Sequence, residues 1–387
     1  FDLIVADEAH RCAGKVDSDF ATVLDAKKIR SARRLFATAT PRTYRSSLKR
    51  KAGEVGVDVV DMNDEAAFGE QLHALTFGKA IQNGWLTDYR VVIVGVDDET
   101  IRDWIHKRRL VQTDAGIKTD AETLSAEIAL IKAIKDYGLQ RIITFHNRVK
   151  RAEQFSRELL TVCEWLDNKH KPNRTMWAEH VSGAMPTDIR RQKLRRLKFV
   201  GDDEIGLIAN ARCLSEGVDV PTLDGIGFID ARKSQIDIIQ AVGRAIRLSS
   251  KKEMGTIVIP VFIEDFEDPE EAVTSTNFKP IWDVLNALRA HDDVLSQELD
   301  QLRIELGARR RSLVGQQDLI KIVLDLPTRV GAEFAEAICA QLVDKTTQSW
   351  MFWYGLLQAY AQEHGHCRVP AKYSTADGFR LGSWVDK

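Results

Sequence analysis

RIITFHNRV, residues 141–149, passes from a short apolar run into a polar corner and then into a helix expected at about 149–166. The same alternation surrounds it. Strands are expected at VVIVGV (91–96), AEHV (178–181), EIGLIA (204–209), GIGFI (225–229) and TIVIPVFI (256–263). Helices are expected at about 122–137, 187–199 and 234–247. Strands that alternate with helices of this length predict an α/β fold with a parallel sheet and crossover helices. Residues 89–265 therefore read as one α/β lobe. Upstream, FDLIVA (1–6) and RRLFATAT (33–40) read as strands of another lobe over 1–88. FDLIVA, apart from Asp2, is a continuous apolar run, which predicts burial on both faces of a parallel sheet. Downstream, EDFEDPEE (264–271) reads as a solvated acidic linker. A long helix at 280–306 and another at 330–345 complete a helical region, 266–345, and a compositionally distinct module occupies 346–387.

The 387 residues, 44% hydrophobic and 29% charged, have the balance of a globular protein with a sizeable core. Lys and Arg number 55 against 57 Asp and Glu, so a polyanionic partner would have to be met by local patches. The five cysteines are scattered and never form a CxxC pair, which points to reduced thiols in a cytoplasmic compartment. No apolar stretch approaches the roughly 18 residues of a membrane span, so no membrane partner is expected. Both ends stop inside a pattern, which predicts that they are truncations.

LIVADEAHRC (3–12) ends an apolar run in Asp7 and Glu8. In open α/β sheets ligands sit beyond the carboxyl ends of strands. There one carboxylate can hold Mg²⁺ through water and the other can activate an attacking water. A plain helix cap stands beside that reading. TATPR (38–42) closes the next strand, and its hydroxyls could relay the state of a phosphate site; a capped turn before Pro41 explains it as well. QAVGRAIR (240–247) is more specific. Gln240, Arg244 and Arg247 fall on one face of the expected helix, with Gly243 permitting close approach. Two guanidiniums and an amide suit a polyphosphate. NARCLSEGVDVP (210–221) supplies a polar loop with Ser215, Gly217 and Asp219, which Asx turns would also explain.

Taken together, DEAH, TATPR, ARCLSEGVDVP and QAVGRAIR resemble in order and spacing the superfamily 2 helicases and translocases of the DEAD/DEAH-box type. The tail SWMFWYGLLQAYAQEHGHCRVP (349–370) with DGFRLGSWV (377–385) resembles the bacterial helicase-associated module. The resemblance implies two RecA-like parallel-sheet lobes, the first incomplete, and a C-terminal helical region. It implies an ATP-hydrolysing motor that takes ATP and Mg²⁺ and acts on nucleic acid, with DNA favoured over RNA. Asp7 would hold the Mg²⁺ through water, Glu8 would be the catalytic base, and His10 would connect the ATP site to the opposite lobe. Thr38 and Thr40 would couple hydrolysis to movement. Gln240 and Arg244 would face the γ-phosphate, Arg247 would be the arginine finger, and Gly217 and Asp219 would meet the nucleotide. His146, Asn147, Arg148, Ser182, Gly183 and Ser215 are candidates for nucleic-acid contact.

The family's phosphate cradle, GxxxxGK[ST], does not occur in the sequence; AGKV (13–16) and FGKA (77–80) lack its spacing and its Ser or Thr. The isolated fragment is therefore expected to have negligible ATPase activity. RRQKLRRLK (190–198) packs six basic residues beside Leu194 and Leu197, suiting either a phosphodiester backbone or plain solvation. RRR (309–311) is a weaker patch of the same kind. In the tail, Trp350, Trp353 or Tyr354, Leu357 and Tyr360 fall at helical spacing and read as the core of a small module, with Gly365 as its cap. Two rivals remain: a duplex translocase subunit of a restriction or remodelling system, and a nucleic-acid clamp without turnover.

Overall fold

The structure, a computed structural model, describes residues 1–44, 54, 58–97, 121–166, 168, 170–211, 220, 222–230, 234–250, 252–263, 273–308, 320–327, 330, 332–347, 349–375 and 379–386. The chain forms two compact units, Phe1–Leu75 and Thr76–Lys387.

In the first unit, β1 (Leu3–Ala6) and β3 (Arg33–Phe36) pair in parallel, with Ala6 opposite Phe36. β2 (Gly14–Lys15) and β4 (Val59–Val60) form a short antiparallel ladder. The expectation that the first strand is buried on both faces is not met. Leu3 and Val5 are 55% and 58% exposed, because no described layer packs across that face of the two-stranded sheet.

The second unit is built on a parallel sheet whose described strands run in the order β11-β5-β10-β9-β6-β8-β7. These are β5 (Asp88–Asp97), β6 (Arg141–His146), β7 (Thr175–Ser182), β8 (Glu204–Ala211), β9 (Gly225–Phe228), β10 (Met254–Ile263) and β11 (Ile322–Asp325). The helices are α1 (Phe77–Gln82), α2 (Ala121–Asp136), α3 (Val149–Trp165), α4 (Thr187–Lys198) and α5 (Gln235–Ala245), then α6 (Lys279–Arg289), α7 (Asp293–Gly307), α8 (Ala332–Thr346), α9 (Ser349–His364) and α10 (Leu381–Val385).

The continuous apolar runs have a direct physical outlet here. Along β5, Val91 and Ile93 enter one core with α5 and α6, while Val92, Val94 and Val96 enter the other with α2 and α3. Successive side chains of a strand point to opposite faces, so a strand covered on both sides must be apolar at every position. Each fully buried Val or Ile contributes about 1.5–3 kcal/mol.

The helix expected over 280–306 is two helices. Asp292, fully buried, accepts the backbone N–H groups of Val294 and Leu295 on Oδ1 and so caps α7 after a break at 290–292. Its other oxygen takes the Tyr89 hydroxyl at 2.7 Å and the Lys321 ammonium at 3.0 Å. Lys321 leads into β11, a strand absent from the sequence reading, which covers the edge of β5. The acidic linker 264–271, the patch 309–311 and the stretch 45–51 lie, in whole or in large part, outside the described residues.

α7 and α9 meet backbone to backbone. A Cβ at Gly307 would collide with the Phe352 carbonyl, and one at Gly355 with the Ile304 carbonyl. α9 then forms a small core with Leu356, Tyr360 and Leu381, and Gly365, at φ +74°, follows its last residue. Trp350 is 52% exposed and stacks on Tyr354 at 5.2 Å. Among the described residues no helix is long and apolar enough to cross a membrane.

Candidate functional site

In the first unit the chain turns sharply after β1. Asp7 is exposed and its Oδ1 accepts the Glu8 N–H at 2.8 Å. Glu8 adopts φ 50°, ψ 42°, the left-handed region, and is the one non-glycine residue with positive φ among those described. A residue with a Cβ pays roughly 1–2 kcal/mol for that conformation. The turn is held by Ala9 N–H donating to Ala37 O (2.9 Å), which pins it to the segment after β3.

That segment delivers the two threonines. His10 Nδ1 lies 3.0 Å from Thr38 Oγ1, 3.4 Å from Thr40 Oγ1 and 3.3 Å from Glu8 Oε2. The Thr40 N–H donates to Thr38 Oγ1 at 3.1 Å. Burial is the main cause that lowers the His10 pKa; Glu8 opposes it, and Arg11 and Arg42 reinforce it. The single nitrogen has two exclusive roles. Towards a carboxylate it must carry the proton; without the proton it accepts from a threonine hydroxyl. Glu8, His10, Thr38 and Thr40 are thus brought together. Beside them runs an open groove lined by Arg11, Lys15 and Arg42 with the rings of Phe20 and Tyr44. The Arg11 and Arg42 guanidiniums lie 5.6 and 5.3 Å from those ring centres.

In the second unit, Ser234 caps α5 by accepting the Asp237 N–H at 3.3 Å. Gln240 is half-buried and Arg244 is buried on this helix. Arg247 departs from expectation: α5 ends at Ala245, and Arg247 forms an isolated antiparallel bridge with Leu86. The carbonyls at the helix end are captured from elsewhere, which stops the helix short. Lys252 Nζ donates to Ala245 O at 2.7 Å, Thr87 N–H to Ile246 O at 2.8 Å, and the Thr87 hydroxyl to Arg247 O at 3.3 Å. Gly243 is in open space among the described residues, so close approach to a neighbouring segment is not what it provides here.

Lys252 also donates to Leu223 O at 2.9 Å. Burial pushes its ammonium down to about 8, and burial pushes the neighbouring Asp224 carboxyl up to about 6. The Asp224 carboxylate accepts the N–H groups of Gln140 and Arg141.

The strand register sets the remaining candidates side by side. Ala211, at the end of β8, pairs with His146 on one side and Ser182 on the other. Asn147, Arg148 and Gly183 emerge there exposed. His146 and Ser182 do not: both are buried, and His146 Nε2 lies 2.9 Å from Thr144 Oγ1 with its ring 4.8 Å from Phe155. Asp230 fixes this corner by accepting the Asn147 N–H at 2.8 Å and pairing with Arg151 at 2.9 Å. It was missed in the sequence, although an acid directly beyond an apolar strand is the signal that singled out Asp7. Ser215, Gly217 and Asp219 lie outside the described residues. On α4, Lys193 and Arg196 pair with Glu179 of β7, and Arg196 covers Trp177 at 4.1 Å, while Arg190 is half-buried and Arg191, Arg195 and Lys198 face solvent.

Residues 126–249 match the family described as helicase conserved C-terminal domain, and residues 347–387 match the helicase associated domain. The probable helicase A859L of African swine fever virus is 24% identical over 302 residues, covering 76% of this chain and 29% of the viral protein. A type I restriction enzyme EcoAI endonuclease subunit of Escherichia coli is 21% identical over 267 residues, covering 65% of this chain and 30% of its own. Among solved structures, the ATP-dependent Type ISP restriction-modification enzyme LlaBIII bound to DNA superposes with a TM-score of 0.72 at 26% identity, over 94% of this chain and 24% of that one. The chain thus spans about three tenths of the length of these curated relatives.

Proposed function

We propose, starting from its membership of the superfamily 2 helicases with a helicase-associated module, that this chain carries part of an ATP-driven motor that translocates along DNA. The observation that carries the reading is the convergence of Glu8, Thr38 and Thr40 on one nitrogen of His10. A base that shares a proton-bearing partner with two relay hydroxyls can report the state of its substrate to the rest of the unit.

The residues fit Mg-ATP in kind. Asp7 is an exposed hard oxygen ligand, which suits a cation that keeps most of its waters and takes one or two carboxylates plus phosphates. Bound there, the ion would neutralise charge on the phosphates. Glu8 would orient and deprotonate the attacking water, with its carboxylate held in place by the left-handed turn. Gln240, Arg244 and Arg247 would supply an amide and two guanidiniums suited to a γ-phosphate, and an arginine finger contributes roughly 10³–10⁵ in rate. Gly217 and Asp219 would complete the nucleotide contacts. Asn147, Arg148 and Gly183, together with Ser215, would grip the DNA backbone, and the cationic groove beside His10 suits the same polymer. Such contacts position the protein without reading sequence. The likeness to an ATP-dependent restriction-modification enzyme bound to DNA supports DNA as the polymer.

The test is ATP turnover by the full-length protein with and without duplex DNA, alongside displacement of a triplex-forming oligonucleotide. DNA-stimulated turnover lost in Glu8→Gln and Arg247→Ala, with triplex displacement, is the expected result. Salt-sensitive DNA binding with no turnover would leave a clamp and end the motor reading. The 387-residue chain alone, which lacks the GxxxxGK[ST] cradle, is expected to hydrolyse no ATP.

A further inference from the structure

We propose that Thr87 is a positioning residue for Arg247, and that the C-terminal helical region sets it through the strap formed by residues 76–87. The proposal rests on the reading of Arg247 as the guanidinium that meets the nucleotide.

The last carbonyls of a helix have no partner within it. At the end of α5 three successive carbonyls find theirs outside, and two of the three partners belong to Thr87. Its N–H takes Ile246 O and its hydroxyl takes Arg247 O. Leu86 pairs with Arg247 as a bridge. The main chain of Arg247 is therefore held on its carbonyl side by a segment 160 residues away in sequence, while its N–H still donates to Arg244 O of the preceding helix at 3.4 Å. A misplacement of about 1 Å in a catalytic group can cost roughly a hundredfold in rate, so what holds this backbone matters to the guanidinium.

The far end of the strap is held just as firmly. The Phe77 N–H donates to His291 O at 2.9 Å, and Thr76 caps α1 by accepting the Lys79 N–H at 3.3 Å. A Cβ at Gly78 would meet Asp293 Oδ1 at 2.5 Å and Val294 Cγ2 at 2.9 Å, so α1 lies tight against the start of α7. That start is fixed by buried Asp292, which is bonded to Tyr89 and Lys321. The other end of α7 crosses α9 through Gly307 and Gly355. A contiguous set of packed and hydrogen-bonded elements thus joins the module at 349–364 to Arg247. Coupling along this path shows as non-additivity between changes at its two ends.

The experiment uses the full-length protein and its DNA-stimulated ATP hydrolysis. Thr87→Val keeps the shape and the N–H but removes the hydroxyl donor. Its kcat is expected to fall about fivefold, with KM for ATP, DNA affinity and melting temperature unchanged, and Thr87→Ser is expected to restore kcat. Gly355→Ala forces α7 and α9 apart; it is expected to lower kcat with KM held, and to combine with Thr87→Val less than multiplicatively. Should Gly355→Ala fail to fold, the Thr87 pair decides alone. A wild-type kcat in Thr87→Val, in a protein where Arg247→Ala has lost turnover, overturns the positioning role and leaves the Arg247 reading intact. Full turnover in Arg247→Ala overturns that reading and this proposal with it.

Discussion

His10 Nδ1 sits 3.0 Å from the hydroxyl of Thr38, joining the turn after β1 to the segment after β3 across 28 residues. The same nitrogen is 3.3 Å from Glu8, so with its proton it faces the carboxylate and without that proton it accepts from a threonine hydroxyl. Thr38→Val removes one side of that choice. ATP turnover in the full-length protein is expected to stay within about twofold, because no group proposed to touch ATP is lost. The distance moved per ATP is expected to fall, read as triplex displacement against phosphate released. A proportional loss of both would show that Thr38 serves hydrolysis itself.

The same histidine gives a pH dependence. Burial lowers its pKa, so the unfolded chain binds this proton more readily than the folded one. Its contribution to stability is complete above the ordinary histidine pKa and is lost as pH falls through the lowered value. Hydrogen-exchange protection of residues 3–12 is expected to weaken on acidification below pH of about 6.5. His10→Gln is expected to flatten that dependence.

Glu8 is held in the left-handed region at φ 50°, where glycine would rest without strain. Glu8→Gly is therefore expected to stabilise the turn by about 1 kcal/mol while abolishing turnover. Glu8→Gln keeps the strain and loses only the carboxylate. If Glu8→Gly loosens residues 3–12 in hydrogen exchange, the turn is held by the Glu8 side chain and not merely tolerated by it.

In the second unit, Gly206 sits beneath Trp177. A Cβ there would lie 2.5 Å from the indole and 2.7 Å from Val200. Gly206→Ala must push out a ring that Arg196 covers at 4.1 Å. A loss of about 1–3 kcal/mol is expected, measured by urea unfolding. Loss of the Arg196 contact should also free α4, so weaker protection of residues 187–198 is expected alongside.

Much of the second lobe could be read from its sequence for one physical reason. A strand buried on both faces must be apolar at each position, and runs such as 91–96 and 256–263 meet that demand without help from context. The places where reading stopped are decided by partners remote in sequence. Arg247 looked helical because Gln240 and Arg244 are; Thr87 and Lys252 end the helix, and no local pattern announces them. His146 looked like a loop residue because strand ends carry no sharp signal, yet β6 continues one residue further and buries it. Asp292 was different. An acid before a helical run is a capping signal, and an unbroken apolar period across 280–306 masked it. Of the candidate site, the sequence showed Glu8 and the two threonines as residues just beyond two strands; their meeting on one nitrogen of His10 was not legible. Nor was the burial that tunes His10.

The pair Asp224 and Lys252 lies at the amino ends of β9 and β10, where Lys252 also holds the end of α5, and makes a prediction about stability. The Asp224 carboxyl, pushed up to about 6 mainly by burial, binds its proton more tightly when folded. Between about pH 4 and 6 the folded state then holds more protons than the unfolded one, so its contribution to stability falls as pH rises. Lys252 is pushed down to about 8, again mainly by burial. Between about pH 8 and 10 the unfolded state holds more protons, so this contribution rises with pH. Urea unfolding from pH 4 to 10 should show Asp224→Asn losing the falling limb, even though it weakens the bonds to Gln140 and Arg141. Lys252→Met should lose the rising limb and cost stability throughout, because the Leu223 and Ala245 carbonyls are left without their donor. An Asp224→Asn variant that keeps the wild-type slope between pH 4 and 6 would show that this carboxyl is already ionised there, and that its bonds outweigh its burial.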